Sequence, residues 1–425
     1  VSNFTVKKLD KVKFIPPNDG ALLKYVTING KTPPVSLSIH PLEDLTKEIT
    51  FEKFISYNFK SSILVPVEAF SCEVYYNKQA SLGAQGIRKP REGDIFVLRA
   101  NNQAVACGII DQLDMDTEPR SGTKLSISGR NLLGQWEDQD SVSLDSKIIY
   151  GNNYTVTQIV TALAQNTRIN PARTILHNAP SKGYLAATQP GESKLSSMQR
   201  YCESLDIWFW MQGDGSLNVG RPNMYGSSHG TFYCLSTARQ SNVLSIRSTR
   251  ASTQIPNIIL PIWNGQESVQ ALNIPQSALL NHAAGPARLR HFSHRTPKAI
   301  VVSTPQGASP QDLAEINALL VAGQNVSETV TKAGASTILQ AYAKREIAKA
   351  NLNELKVQVN LMGHYNDRAE PVVVNQVYQI QYEDDDVDQL MFCYEVEYLM
   401  DPKMGPQSKL TFCRQIALVS DVRAL

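Results

Sequence analysis

"GDIFVLRANNQAVACGIIDQL", residues 93–113, places two runs of β-forming residues on either side of Asn101-Asn102. Strand-like runs parted by a short polar turn make a β-hairpin. The same reading extends outward. Upstream, "ITFEKFISYNF" (49–59) and "FSCEVYY" (70–76) are rich in aromatic and branched residues. Downstream, "TKLSISGR" (123–130) alternates Leu125 and Ile127 with Ser126 and Ser128, the period of a half-buried strand. Turn signals recur about every ten residues, as barrels and sandwiches require.

The period changes near residue 150. In "YTVTQIVTALAQNT" (154–167), Val156, Ile159, Val160 and Leu163 fall on one helical face, and Thr155 with Gln158 has capping-box spacing. A second helix starts near Ser193, with Leu195, Met198, Cys202 and Leu205 on one face. It feeds "WFWMQGDGSLNVGRPN" (208–223), whose Gly213, Gly215 and Gly220 invite a phosphate-loop reading. A dinucleotide fingerprint needs G-x-G-x-x-G between a strand and a helix. Here the third glycine comes too late and strand-like alternation follows, so the segment reads as a hairpin around an Asp-Gly step. Residues 146–222 therefore read as a small α/β domain inserted between β-rich regions.

Beyond 223 the chain returns to strand and loop. Residues 303–335 are small and polar, with a short helix expected near 310–321, and an Ala-rich helix is expected near 335–354. The strands "KVQVNL", "QVYQIQY", "LMFCYEVEYLM" and "KLTFCRQIAL" follow. In the third, simple alternation puts Leu390, Phe392, Tyr394, Val396, Tyr398 and Met400 on one face. The expected fold is mainly β, α+β overall. It comprises a tube-like β-barrel domain at 1–145, the inserted domain at 146–222, and a second β-barrel domain at 223–425 that carries the polar insertion and the Ala-rich helix.

Composition narrows the function classes. The 425 residues carry a formal charge of +2 and only 19% charged residues, so no global field points to nucleic acid or a membrane surface. Lys7, Lys8, Lys11 and Lys13 form a local exception that reads as a solvated arm. No apolar run nears the roughly 18–20 residues needed to cross a bilayer. The start "VSNFTVKKLD" lacks a signal-peptide core, and the six cysteines contain no C-x-x-C pair, so folding in a reducing cytoplasm is expected.

Candidate chemistry is sparse. The acidic run Glu383 to Asp388 has contiguous acids and no central glycine, which suits a solvated turn rather than a calcium loop. His291 and His294 have i, i+3 spacing, yet Arg288, Arg290 and Arg295 beside them would repel a dication. Trp208 and Trp210 share one strand face and Phe209 takes the other. That pattern suits burial better than a stacking platform for sugars or bases. No nucleophile elbow or Walker loop is present. No catalytic, cofactor-binding or metal-binding residue is assigned, and no cofactor or metal is expected.

Three collinear segments resemble a known family, the baseplate hub proteins of contractile phage tails (the Mu-like and late-control-D group). In the first, Gly93-Asp94, Gly108 to Asp111 and Gly129-Arg130 match the family's "GD", "G.ID" and "GR" strands, while "LLGQWED" departs from its usual "DLVD". The second, "GESKLSSMQRYCESLDIWFWMQGDGSLNVGRP", is similar to its Gly-Glu, helix, aromatic strand, Asp-Gly turn and Arg-Pro series. The third runs from the Ala-rich helix through "NQVYQIQYEDDDVDQLMFCYEVEYLMDPKMGPQSKLTF". Residues 230–330 match poorly.

The resemblance implies a non-enzymatic virion protein, assembled in the host bacterial cytoplasm. It implies a homotrimer that adapts a sixfold tail tube to a threefold central spike and also meets the wedge proteins of the baseplate, with a lumen open to DNA or the tape-measure protein. The family also covers the N-terminal half of type VI secretion spike proteins. This sequence has no counterpart of their further barrel and needle, which favours a spike on another polypeptide. The alternatives are a tail-associated peptidoglycan hydrolase and a carbohydrate-binding tail module using Trp208 and Trp210.

Overall fold

The computed structural model describes residues 35–76, 89–118, 122–141, 152–179, 183–184, 191–234, 242–250, 259–264, 298–303, 348, 352 and 355–415. The lysine cluster, His291 and His294, and the helix expected at 310–321 lie outside these. So does the Ala-rich helix, apart from the buried Ala348 and Leu352.

The N-terminal part is a run of strands: β1 (Val35–His40), β2 (Ile49–Phe51), β3 (Phe54–Ser62), β4 (Ala69–Tyr76), β5 (Ile95–Ala100), β6 (Gln103–Glu118) and β7 (Gly122–Asn131). The β5–β6 turn is Asn101-Asn102, as its sequence reads, with φ of 49° and 63°. Positive φ at both central residues matches the turn to the right-handed twist of the strands, and asparagine tolerates it better than most side chains.

The central part holds α1 (Gly134–Asp138), β8 (Asn152–Tyr154), α2 (Val156–Leu163), β9 (Ile175–His177), β10 (Gly183–Tyr184), α3 (Lys194–Ser204), β11 (Trp208–Met211) and β12 (Leu217–Gly220). The capping box of α2 forms in both directions. The Gln158 amide N–H donates to Thr155 Oγ1 at 3.2 Å, and the Thr155 amide N–H donates to Gln158 Oε1 at 2.9 Å. Strands β11 and β12 pair antiparallel around Gly215, whose φ is +79°. Strand β9 adds parallel to β12, a pairing that local sequence pattern does not display.

The C-terminal part supplies β13 (Thr231–Cys234), β14 (Val243–Thr249), β15 (Ile259–Asn264), β16 (Lys298–Ser303), β17 (Lys356–Met362), β18 (Gln376–Tyr382), β19 (Val387–Asp401) and β20 (Gly405–Arg414). Among the described residues, no helix is long and apolar enough to cross a membrane.

The protein is mainly β. Thirteen strands form one sheet in the order β14-β17-β20-β19-β3-β4-β7-β6-β5-β1-β2, with β18 on β19 and β13 on β18. The join between the two β-rich regions is the β3·β19 ladder, from Ser62 opposite Glu395 to Tyr57 opposite Met400. β19 serves two partners on that edge: its first half pairs with β18 through Cys393, and its second half pairs with β3 from Glu395. A bulge between Cys393 and Glu395 marks the change. It also breaks the single apolar face expected for this strand. Phe392, Cys393 and Tyr394 are all buried in succession, whereas Leu390 is exposed. An inserted residue shifts the side-chain parity that simple alternation assumes.

Two apolar clusters organise the interior. One spans both β regions and includes Phe59, Phe70, Phe96, Val396 and Phe412. The other belongs to the central part, with Trp136, Ile159, Leu163, Met198 and Val219. It packs onto Ile95, Val97 and Ile109, which lie on the outer side of β5 and β6.

Candidate functional site

The motif that carries the family resemblance is an architectural joint. β6 and β7 meet with Gly108 opposite Asn131 and Gly129 opposite Ile110. A Cβ on Gly108 would lie 2.1 Å from the Arg130 carbonyl oxygen and 2.5 Å from the Phe96 ring. One on Gly129 would lie 2.0 Å from the Ile109 carbonyl oxygen and 2.7 Å from the Phe70 ring. Both glycines therefore let a phenylalanine ring lie directly on the ladder, and Phe70 packs in turn against Phe59 with centroids 5.3 Å apart and planes 7° apart.

The polar motif residues follow from the same joint. A bulge between Ile110 and Gln112 leaves Asp111 as the extra residue and turns its carboxylate toward Arg130. Arg130 Nε donates to Asp111 Oδ2 at 2.8 Å, and Nη2 donates to Asp138 Oδ2 at 2.7 Å. Nη1 reaches Glu137 at 3.2 Å. The "QWED" stretch that departs from the family pattern thus supplies two carboxylates to the matching arginine and fixes α1 against the sheet. These hydrogen bonds hold the Asp138 carboxyl below its ordinary range. Asp94 is buried and accepts from the Leu42 amide N–H at 3.0 Å and the Arg91 amide N–H at 2.8 Å. It pins two loops.

The second matching segment behaves similarly. Ser193 caps α3 by accepting from the Ser196 amide N–H at 3.2 Å, and Glu192 pairs with Arg200 at 2.9 Å. Asp214 accepts from the Ser216 amide N–H at 2.9 Å and pairs with Arg173 at 3.1 Å, closing the β11–β12 turn. Trp208 and Trp210 are 4% and 1% exposed and join the large cluster, while Phe209 joins the smaller one. Trp210 stacks on His177 at 5.4 Å. Rings enclosed in this way present no face to a sugar or base.

Two buried polar groups escaped sequence reasoning because each is an isolated residue with no local pattern. His364 lies between Tyr57 and Ser408, with Nε2 2.5 Å from the Tyr57 hydroxyl and Nδ1 2.7 Å from Ser408 Oγ. Burial pushes its pKa down to about 3, so it is a neutral hydrogen-bonding pin between β3 and β20. The Ser-His pair has the composition of a nucleophile and its base. Yet Ser408 and His364 are 0% and 1% exposed, so no substrate carbonyl reaches the hydroxyl.

The second group, Glu68, accepts from the Ser62 amide N–H and from Asn131 Nδ2, and burial raises its pKa well above the ordinary range. It borders a cavity of about 10 Å³, room for roughly one water. A glycan strand does not fit there. The acidic run Glu383–Asp385 forms a 3-10 turn followed by Asp386 at φ +50°, and Arg250 pairs with Asp385 at 3.2 Å. Among the described residues, no three His, Cys, Asp or Glu side chains converge as metal ligands would.

No family model matches the chain, and no curated protein matches it in sequence. Solved structures do resemble it. The tail protein from Neisseria meningitidis MC58 superposes with a TM-score of 0.63 at 15% identity, over 91% of this chain and 97% of that one. The 43 kDa tail protein of prophage MuSo2 from Shewanella oneidensis gives 0.62 at 15% identity, over 91% and 99%. The chain has the fold of these tail proteins, and the resemblance read from the motifs holds at the level of structure.

Proposed function

We propose that the chain is a structural subunit of a contractile phage-type tail, the baseplate hub. In this reading it is a homotrimer that adapts a sixfold tube to a threefold spike. It meets the wedge proteins around it and is assembled in the host cytoplasm into the virion tail. The observation that carries the reading is end-to-end likeness: the match to two tail proteins spans 91% of this chain and nearly all of theirs. It therefore covers a whole architecture and not one shared module. In this reading the chain holds two tube-like barrels, at 1–145 and 223–425, with 146–222 inserted between them; the mainly antiparallel sheet and the separate second apolar cluster, which also draws on Leu132, Leu133 and Trp136, are its support. Three chains with two barrels each would present six barrels to a sixfold tube, and closed symmetry would cover exposed strand edges.

The role proposed is non-catalytic. Its support is that the motif polar groups end on one another and that the buried Ser408 and Glu68 sit where substrate does not reach.

Light scattering tests the assembly. The expected mass is three times 47.0 kDa, with the spike protein added if the chain needs it to close, and images should show a threefold ring with a central hole. A chain that stays monomeric with spike and tube present overturns the reading. Clearing of purified cell walls in a zymogram would overturn its non-catalytic part.

A further inference from the structure

Strand β6 is 16 residues long, and its second half is bonded on one side only. From Gln103 to Ile109 it has β5 along one edge. The Ile110 carbonyl accepts from the Gly93 amide N–H at 2.8 Å, and the Ile110 N–H donates to the Asp94 carbonyl at 3.0 Å. From Gln112 to Glu118 only β7 pairs with it among the described residues. An open strand edge of this length is a template for a further strand.

The two faces of that edge differ in chemistry. Asp114 and Asp116 are exposed on one face, opposite Ser126 and Lys124 of β7. On the other face Leu113 packs at the rim of the main cluster. Met115 stands opposite the fully buried Leu125, yet is itself 40% exposed. The core therefore stops one strand short here, with a methionine uncovered on the inside and acids on the outside.

Residues 1–34 lie outside the described residues, and their sequence contains the complement. In Lys11-Val12-Lys13-Phe14 two cations alternate with two apolar residues. The period matches Asp114-Met115-Asp116, and the charge is opposite. Neighbours across a ladder share a face, so a strand added here sets both lysines on the acid side and Val12 and Phe14 beside Met115.

The tether is long enough. Val35 pairs with Ala100, which in turn pairs with Gln103 at the start of β6. Asp114 lies about 37 Å along β6 from Gln103, at roughly 3.4 Å per residue. The chain from Phe14 to Val35 spans up to about 70 Å when extended. A tether of this kind also raises the local concentration of the segment at the edge to roughly millimolar, which favours it over a second copy in dilute solution.

We propose that residues 11–14 dock on the open edge of β6 in the same chain as an added strand, recognised by Asp114 and Asp116. The segment covers Met115 and closes the edge to strands of other molecules. The proposal stands independently of the hub reading.

Cysteine pairs and a charge swap test it on the full-length chain. Of the native cysteines, Cys234 is exposed and the others are buried, so Cys234→Ser gives a quiet background. In that background Val12→Cys with Met115→Cys should form a disulfide within one chain on mild oxidation, identified by peptide mass. Val12→Cys with Asp116→Cys puts the thiols on opposite faces and should react at least about tenfold more slowly. Adding Asp114→Lys and Asp116→Lys to the first pair should slow its closure about tenfold, and adding Lys11→Asp and Lys13→Asp as well should restore it. Circular dichroism checks that these surface variants remain folded. Absence of an intrachain disulfide overturns the proposal, and a chain-to-chain disulfide overturns it in favour of a second copy. Equal closure on both faces, indifference to the charge reversal, or no recovery on the swap overturns the registered, charge-recognised strand.

Discussion

Replacing Trp210 with alanine separates a buried anchor from a ligand platform. The indole is 1% exposed, its strand pairs Trp210 with Asn218, and its ring stacks on His177. Its neighbours Phe209 and Met211 face the second cluster, so β11 is held from both sides. Truncating a fully buried aromatic removes its transfer free energy and leaves a void that rigid strands cannot close, a cost of about 3–5 kcal/mol. With a urea dependence near 3 kcal/mol per M, the unfolding midpoint should fall by at least about 1 M. Tyr225→Ala is the control, because that ring is 66% exposed and a surface change of this kind stays within about 0.5 kcal/mol. Far-UV circular dichroism during urea titration reads both. If Trp210→Ala matches Tyr225→Ala in stability but loses binding to a glycan, the core assignment is wrong and the carbohydrate-binding reading returns.

Acid should weaken the fold through His364. Its folded pKa is near 3, against about 6.5 for a free histidine. Between those values the unfolded chain binds a proton that the native chain refuses, so stability rises with pH across that window and is lost as pH falls through it. The slope is about 1.4 kcal/mol per pH unit. Urea midpoints from pH 4 to 7 should flatten in His364→Gln, and an unchanged slope would show that the histidine is not the responsible group. Arg130→Ala should cost about 1 kcal/mol or less at neutral pH, because its pairs face water. Asp138 is depressed by Arg130, so the contribution is full above the ordinary aspartate pKa and lost as pH falls through the folded value. The difference between wild type and Arg130→Ala should therefore shrink below about pH 4, and a difference that grows instead would refute this assignment.

Local features were legible in the sequence, and pairings between distant segments were not. Asn101-Asn102, the Thr155–Gln158 capping box and the Asp214-Gly215 turn each depend on residues within a few positions of one another, so their chemistry is written side by side. Burial of Trp208, Phe209 and Trp210 was legible for the same reason, since three apolar rings in a short strand leave two faces to cover. The parallel pairings β9·β12 and β13·β18 are set by tertiary packing, and no turn between the partners announces them. The bulge at Cys393–Glu395 adds one residue to a period of two, which a pattern of apolar residues records only as continued alternation. The glycines at 108 and 129 matched a family motif in the sequence. Their reason, two phenylalanine rings lying on the backbone, needed the fold.

The β3·β19 ladder explains why the two β regions act as one body. β19 is 15 residues long, and its bulge lets one strand serve β18 and then β3. Asn58 and Glu397 are joined across it although they are 339 positions apart in the chain. A contact of such long range carries a loop-closure cost that local hairpins do not, which slows its formation. Until it forms, β3 has an unpaired edge beside Asn58 and Lys60. Those polar and charged side chains suit it to waiting without joining a wrong strand. Once closed, the ladder is backed by a single core cluster that draws Phe59 and Phe96 from one region and Val396 and Phe412 from the other. Hinging the regions apart would expose that cluster, at about 25 cal/mol for each Å² of apolar surface. A load applied to one β region is therefore passed to the other through a continuous sheet and not through a flexible linker.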